Sequence, residues 1–168
     1  MDVITASAVS IAVLAAILTY ILGLSFAAGV PLFAALVAWA SFLHCGGKEA
    51  GLAKTITHNV FGAIMGYIAL LLYAEVASLT SLWWLAICVL ITVFILVYCS
   101  KWPTLSDVAA SLLGFATIFA WYCFGKADAV VLTAGSLLNP FIGAVIAMIV
   151  GTVVAYVAEK LADAMKKA

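Results

Sequence analysis

The chain contains no arginine and little charge of either sign: charged residues are 8% of its 168 positions, seven lysines against seven acids. That balance excludes the global basic field expected of a nucleic-acid binder, and no acidic tail marks a binding partner. Four cysteines, Cys45, Cys88, Cys99 and Cys123, form no CxxC pair. Scattered in or beside apolar runs, they read as reduced packing residues, with redox or metal chemistry as the lesser alternative. There is no HExxH, no glycine-rich phosphate loop, no nucleophile motif and no paired-carboxylate constellation, so the sequence predicts no enzyme, no cofactor and no resident metal.

What fills the chain is apolar, at 68% hydrophobic residues and a mean hydropathy of +1.34. Apolar runs approach or exceed the ~20 residues that cross a bilayer, which predicts an all-α integral membrane protein with lipid as its main partner. A single membrane domain over 1–168 leaves no room for a separate soluble unit. No basic cluster precedes the first apolar run, so that run is expected to be retained and not cleaved as a signal peptide.

Six transmembrane helices are expected at about 4–22, 26–43, 58–76, 82–99, 105–124 and 137–158. Gly23 and Gly29-Val30-Pro31 break the first junction, Gly46-Gly47-Lys48-Glu49 the second and Lys101-Trp102-Pro103 the fourth. Glu75 with 78–81 marks the third break and 125–128 the fifth. Residues 48–57 suit either a short interfacial helix or a plain loop.

With six spans, Lys48, Lys54, Lys101, Lys160, Lys166 and Lys167 share one side with both termini, and only Lys126 lies opposite. The positive-inside rule makes that side cytoplasmic, and residues 159–168 become a helix end leaving the membrane. Trp83, Trp84 and Trp102 bracket the fourth span, where amphipathic rings favour the headgroup layer.

The two halves, about 4–76 and 82–158, carry ordered similarities. Ala38-Trp39 matches Ala120-Trp121, each followed by a phenylalanine and a Gly-Lys pair, and His58-Asn59-Val60-Phe61-Gly62-Ala63 matches Leu138-Asn139-Pro140-Phe141-Ile142-Gly143-Ala144. Because each half has three spans, the pattern predicts a 3+3 inverted repeat, the arrangement of many channels and transporters.

Asn59 and Asn139 are the sharpest site candidates, since an amide in the apolar layer is costly unless satisfied. Both are expected near helix starts, as pore or solute groups alongside Thr57 and Ser136, or as caps and interhelical glue. Gly62 and Gly66, and the stripe Gly143, Ala147 and Gly151, are expected to let helices cross closely, inside one chain or in a homo-oligomer. His44 and His58 sit at a membrane boundary, where protonation would gate a path near neutral pH; with Cys45 they also form a weak metal-ligand candidate. Asp107, after Ser106, is placed to cap the fifth span or to hold an ion. No Asp, Glu, Lys or Arg falls deep in any predicted span, which argues against a proton or ion pump.

The pattern Ala38-Trp39-Ala40-Ser41-Phe42, then Gly46-Gly47-Lys48, then Asn59-Val60-Phe61-Gly62, resembles the YcdZ-like bacterial inner-membrane proteins, a family of unknown function, over nearly the whole chain. The resemblance implies a bacterial cytoplasmic (inner) membrane location and a multi-pass architecture, and supplies no site. Asn139-Pro140 is also similar to the Asn-Pro-Ala signature of aquaporins, with Phe141 in place of the alanine. The leading functional expectation is a channel or facilitator for a small uncharged or weakly polar solute. A non-transporting scaffold or accessory subunit is the alternative, and a metal or ion transporter a weaker one.

Overall fold

The computed structural model describes residues 1–25, 29–75, 82–124 and 129–167. Within them the chain is entirely helical outside its turns, and no strand occurs among the described residues. The helices are α1 (Val3–Ser25), α2 (Leu32–His44), α3 (Lys48–Glu75), α4 (Leu82–Cys99), α5 (Val108–Phe124), the single turn α6 (Ala129–Leu132) and α7 (Pro140–Lys167). The expected breaks at 78–81 and 125–128, with Lys126, lie outside the described residues.

Local chemistry sets the ends. The Asp2 carboxylate accepts the Thr5 amide at 2.7 Å and so caps α1. Pro31 precedes α2, and α2 closes when Gly47 N–H reaches back to Phe42 C=O at 3.1 Å. Gly46, Gly47 and Lys48 then take positive φ in succession, which turns the chain directly into α3. Lys48 holds this backbone without being glycine, and its N–H is anchored on Glu159 of α7 at 2.6 Å.

Helix α3 corrects one expectation. Residues 48–57 are neither a loop nor a separate interfacial helix but the first turns of a continuous 28-residue helix, about 42 Å long. No proline interrupts 48–58 and Gly51 is its only glycine, so the hydrogen-bond ladder runs through. Asn59 therefore lies about three turns inside α3 instead of at its start. The fourth helix coincides with its expected range, and α5 and α7 begin three residues later than expected, at Val108 and Pro140.

Four helices, α1, α3, α4 and α7, are long and apolar enough to cross a membrane. Helix α2, at 13 residues, spans only about 20 Å, and α5 is also shorter than the other four. The chain is thus a helical membrane protein in which four long apolar helices pack with two shorter ones. Helices α3 and α7 touch each other at the centre, with α5 packed along α3 and α2 along α7. Helix α1 lies outside α7 and α4 outside α3. Only 17% of the apolar window is buried in α1 and in α4, against 50% in α3, so the first two leave most of their apolar surface uncovered by the rest of the chain.

The small-residue stripes are used inside the chain. A Cβ on Gly62 would overlap the Ser111 carbonyl oxygen of α5, and one on Gly66 would come to 2.9 Å from the Phe115 carbonyl. On the other pair, a Cβ on Gly143 would overlap Gly29 and one on Gly151 would overlap Ala35, while Ala147 is fully buried. Backbones in direct contact gain dispersion over their whole length, which in lipid replaces the hydrophobic effect as the glue.

Candidate functional site

Three polar clusters stand out from this apolar background. The first lies where α2, α3 and α5 meet. Ser41 Oγ–H donates to Asn59 Oδ1 at 2.8 Å, and the Asn59 backbone packs against Gly114 of α5. Asn59 Nδ2 has no partner, nor has Thr55 Oγ1 one turn earlier on the same helix face. All three side chains are buried, Asn59 to 1% exposure and Thr55 to 0%. The site thus holds unused hydrogen-bonding capacity and no charge. Such groups cost on the order of 1–3 kcal/mol each when left unmade, so they ask for a partner.

The second cluster lies at the break before α7. Asn139 Oδ1 accepts the Phe141 amide at 2.9 Å, capping the helix that Pro140 begins. Its Nδ2 donates to the carbonyls of Leu132 at 2.7 Å and Ala134 at 3.0 Å and lies 3.3 Å from the Tyr67 hydroxyl, which itself donates to Leu132 O. Every polar atom of Asn139 is occupied. Replacing it by leucine is expected to cost about 2–3 kcal/mol, because the Ala134 carbonyl loses its side-chain donor and α7 its cap. Thermal unfolding of the purified protein measures this; an unchanged midpoint would refute the role.

The third cluster ties helix ends together at the lysine-rich end of the bundle. The Asp107 carboxylate accepts the Ala110 amide at 3.1 Å and so caps α5. It also receives Lys54 Nζ at 2.7 Å and His44 Nε2 at 3.2 Å, with Cys45 Sγ 3.9 Å away. Burial of this carboxyl raises its pKa, but the hydrogen bonds from Lys54, the Ala110 amide and His44 outweigh that and hold it well below the usual carboxylate range. His58 is buried beside it: its Nδ1–H donates to the Lys54 carbonyl at 2.7 Å, and its Nε2 accepts the Asp107 amide at 3.0 Å.

Asn59 and Asn139 therefore serve different partners on different elements. Thr57 is exposed and, with His58, Lys54, Pro103 and Thr104, lines an open cavity of about 280 Å³ at the lysine-rich end. Ser136 is exposed, in the turn whose carbonyl accepts the Asn139 amide at 3.0 Å. His44 is half exposed. Among the described residues no three His, Cys, Asp or Glu side chains are placed to hold a metal ion. Thr55 and Tyr67 were not read from the sequence, in which an apolar helix offers no sign of which hydroxyl turns inward. Lys54 was read only as a charge on the same side as His44; its pairing with Asp107 depends on tertiary packing.

A family model described as "Protein of unknown function (DUF1097)" matches residues 8–163, and the chain belongs to that family. No curated protein and no solved structure matches it.

Proposed function

We propose that this member of the DUF1097 family is a six-span inverted-repeat facilitator for a small uncharged polar solute, in the bacterial inner membrane with both termini cytoplasmic. The observation that carries the reading is the Ser41, Thr55 and Asn59 cluster: buried, uncharged, and short of partners for two polar atoms. A solute that offers an acceptor to Asn59 Nδ2 and exchanges a hydrogen bond with the Thr55 hydroxyl fits this chemistry, and needs no countercharge.

Support for the repeat comes from packing. Exchanging α1, α2 and α3 for α4, α5 and α7 turns the α3–α5 contact into α7–α2, α1–α7 into α4–α3, and α2–α3 into α5–α7, and all of these contacts exist. The α3–α7 and α2–α5 contacts map onto themselves. Trp39 and Trp121 are both buried, and Gly62 meets the Ser111 carbonyl as Gly143 meets that of Gly29. His58 stands four residues before Gly62 and Asn139 four before Gly143, so the packing register pairs Asn139 with His58 and not with Asn59. In this reading helices α2 and α5 complete the six spans despite their length, each packed along a long helix, α2 on α7 and α5 on α3.

Flux of water and small neutral solutes into liposomes containing the full chain tests the reading. At least one solute is expected to cross about tenfold faster than in empty liposomes, and Asn59→Leu is expected to remove the gain without loss of the fold. Failure of every solute to exceed empty liposomes overturns it. Copurification of a different membrane protein in fixed ratio, without flux, would favour the scaffold alternative.

A further inference from the structure

We propose that His58 is an acid-sensitive latch, holding the connection of residues 100–107 and the start of α5 against α3 only while its imidazole is neutral. The argument is one of hydrogen-bond direction. The Lys54 carbonyl can only accept, so Nδ1 carries the hydrogen at 2.7 Å. The Asp107 amide can only donate, so Nε2 must present its lone pair at 3.0 Å. Both ring nitrogens are committed, and a single neutral tautomer satisfies them.

A proton on Nε2 would set N–H against N–H. The Asp107 carboxylate is the nearest acceptor and is already engaged at all four of its positions, Oδ2 by Lys54 and the long Cys45 contact, Oδ1 by His44 and the Ala110 amide. Charge acts in both directions: the Asp107 carboxylate attracts an imidazolium, while the Lys54 ammonium, and His44 when protonated, repel one. Cys45 of α2, the half-buried Cys99 and exposed Tyr98 at the end of α4, and the exposed Lys101 of the connection are further titratable groups on the neighbouring elements. The cavity lined by His58, Thr57, Pro103 and Thr104 gives protons a route to the ring from solvent.

The open connection leaves Nε2 free to bind a proton that the closed one excludes, so acidification favours opening. His58 adjoins Asn59, so opening would expose the Ser41, Thr55 and Asn59 cluster to that side. Only this last consequence rests on the facilitator reading; the latch itself does not.

Hydrogen exchange of the full chain in nanodiscs, at about pH 7.5 and about pH 5.5 and corrected for the intrinsic pH dependence of exchange, tests the latch. Protection of the Asp107 amide and the connection is expected to fall about tenfold on acidification. His58→Gln, whose Oε1 still accepts the Asp107 amide but does not titrate, is expected to keep its protection at both pH values. His44→Gln is expected to respond like the wild type. Asp107, held below the usual carboxylate range, stays ionised throughout and cannot produce the change. Unchanged wild-type protection overturns the latch, as does an acid response that survives His58→Gln. Should His58→Gln fail to fold, the remaining pair decides: loss of protection in both wild type and His44→Gln supports the latch, and abolition of that loss by His44→Gln overturns it.

Discussion

Gly62→Ala is expected to be among the most damaging single-methyl additions the chain can receive, lowering stability by about 3 kcal/mol or more. The added Cβ falls on the Ser111 carbonyl oxygen and close to the Phe115 amide nitrogen, at 2.9 Å. These are backbone atoms of α5, so no side-chain rotamer relieves the overlap. The two helices must separate along the face that also includes Gly66 and Gly114, and the loss of close contact extends over several turns. Against a total of roughly 5–15 kcal/mol for a typical domain, such a loss takes much of the margin. Thermal unfolding and the monodisperse fraction in detergent report it. Gly23→Ala and Gly135→Ala, whose Cβ atoms would meet nothing within 4 Å, are the controls and are expected to behave like the wild type. A Gly62→Ala protein as stable as these controls would mean that α3 and α5 do not touch through Gly62.

The glycine stripes were legible because spacing on a helix fixes a common face. Which helix each face meets was not, since α3 against α5 and α7 against α2 are contacts between residues distant in the chain. The bounds of α4 were legible because Trp83 and Trp102 bracket an apolar run that Lys101-Trp102-Pro103 closes. The start of α3 was not. Residues 48–57 mix charge with good helix formers, and hydropathy reports where lipid begins but is silent on where the backbone ladder starts. That single misplacement carried Asn59 from the middle of a helix to its end, and with it the idea that the two asparagines are equivalent. Asn139 kept its expected cap because Pro140 follows it. The Asn59 site owes its character to absent partners, and absence of a partner is a property of packing alone.

The lysine-rich end was half legible. Six lysines, both histidines and Asp107 were placed on one side by counting spans, and the cap on α5 followed from Asp107 preceding an apolar run. Convergence of His44, Lys54 and His58 on that one residue required the register in which α2, α3 and α5 pack. An early α3 start brings Lys54 one turn before His58 on the same face, and the connection after α4 then delivers Asp107 to both.

Asp107→Ala is the substitution that should separate this carboxylate from the latch beside it. The change removes the α5 cap, worth about 1 kcal/mol, and the Lys54 contact, worth up to about 1 kcal/mol because Lys54 is 41% exposed and screened by solvent. A loss of about 2 kcal/mol is expected, and about half that for Asp107→Asn, which can still accept the Ala110 amide. The folded protein holds the Asp107 carboxyl below its ordinary range, so below about pH 4 the unfolded chain binds the proton first. The stabilisation is therefore fully present above the ordinary carboxylate range and is lost as pH falls through the lower, folded value. The gap in melting temperature between wild type and Asp107→Ala should accordingly be flat from about pH 8 to about pH 5 and close only in stronger acid. The Asp107 amide that His58 accepts is backbone and survives the substitution, so an acid response near the histidine range should persist in Asp107→Ala. A gap that widens between about pH 7 and about pH 5 would instead place part of the stabilising charge on His44, whose contact with Asp107 would then need a protonated ring.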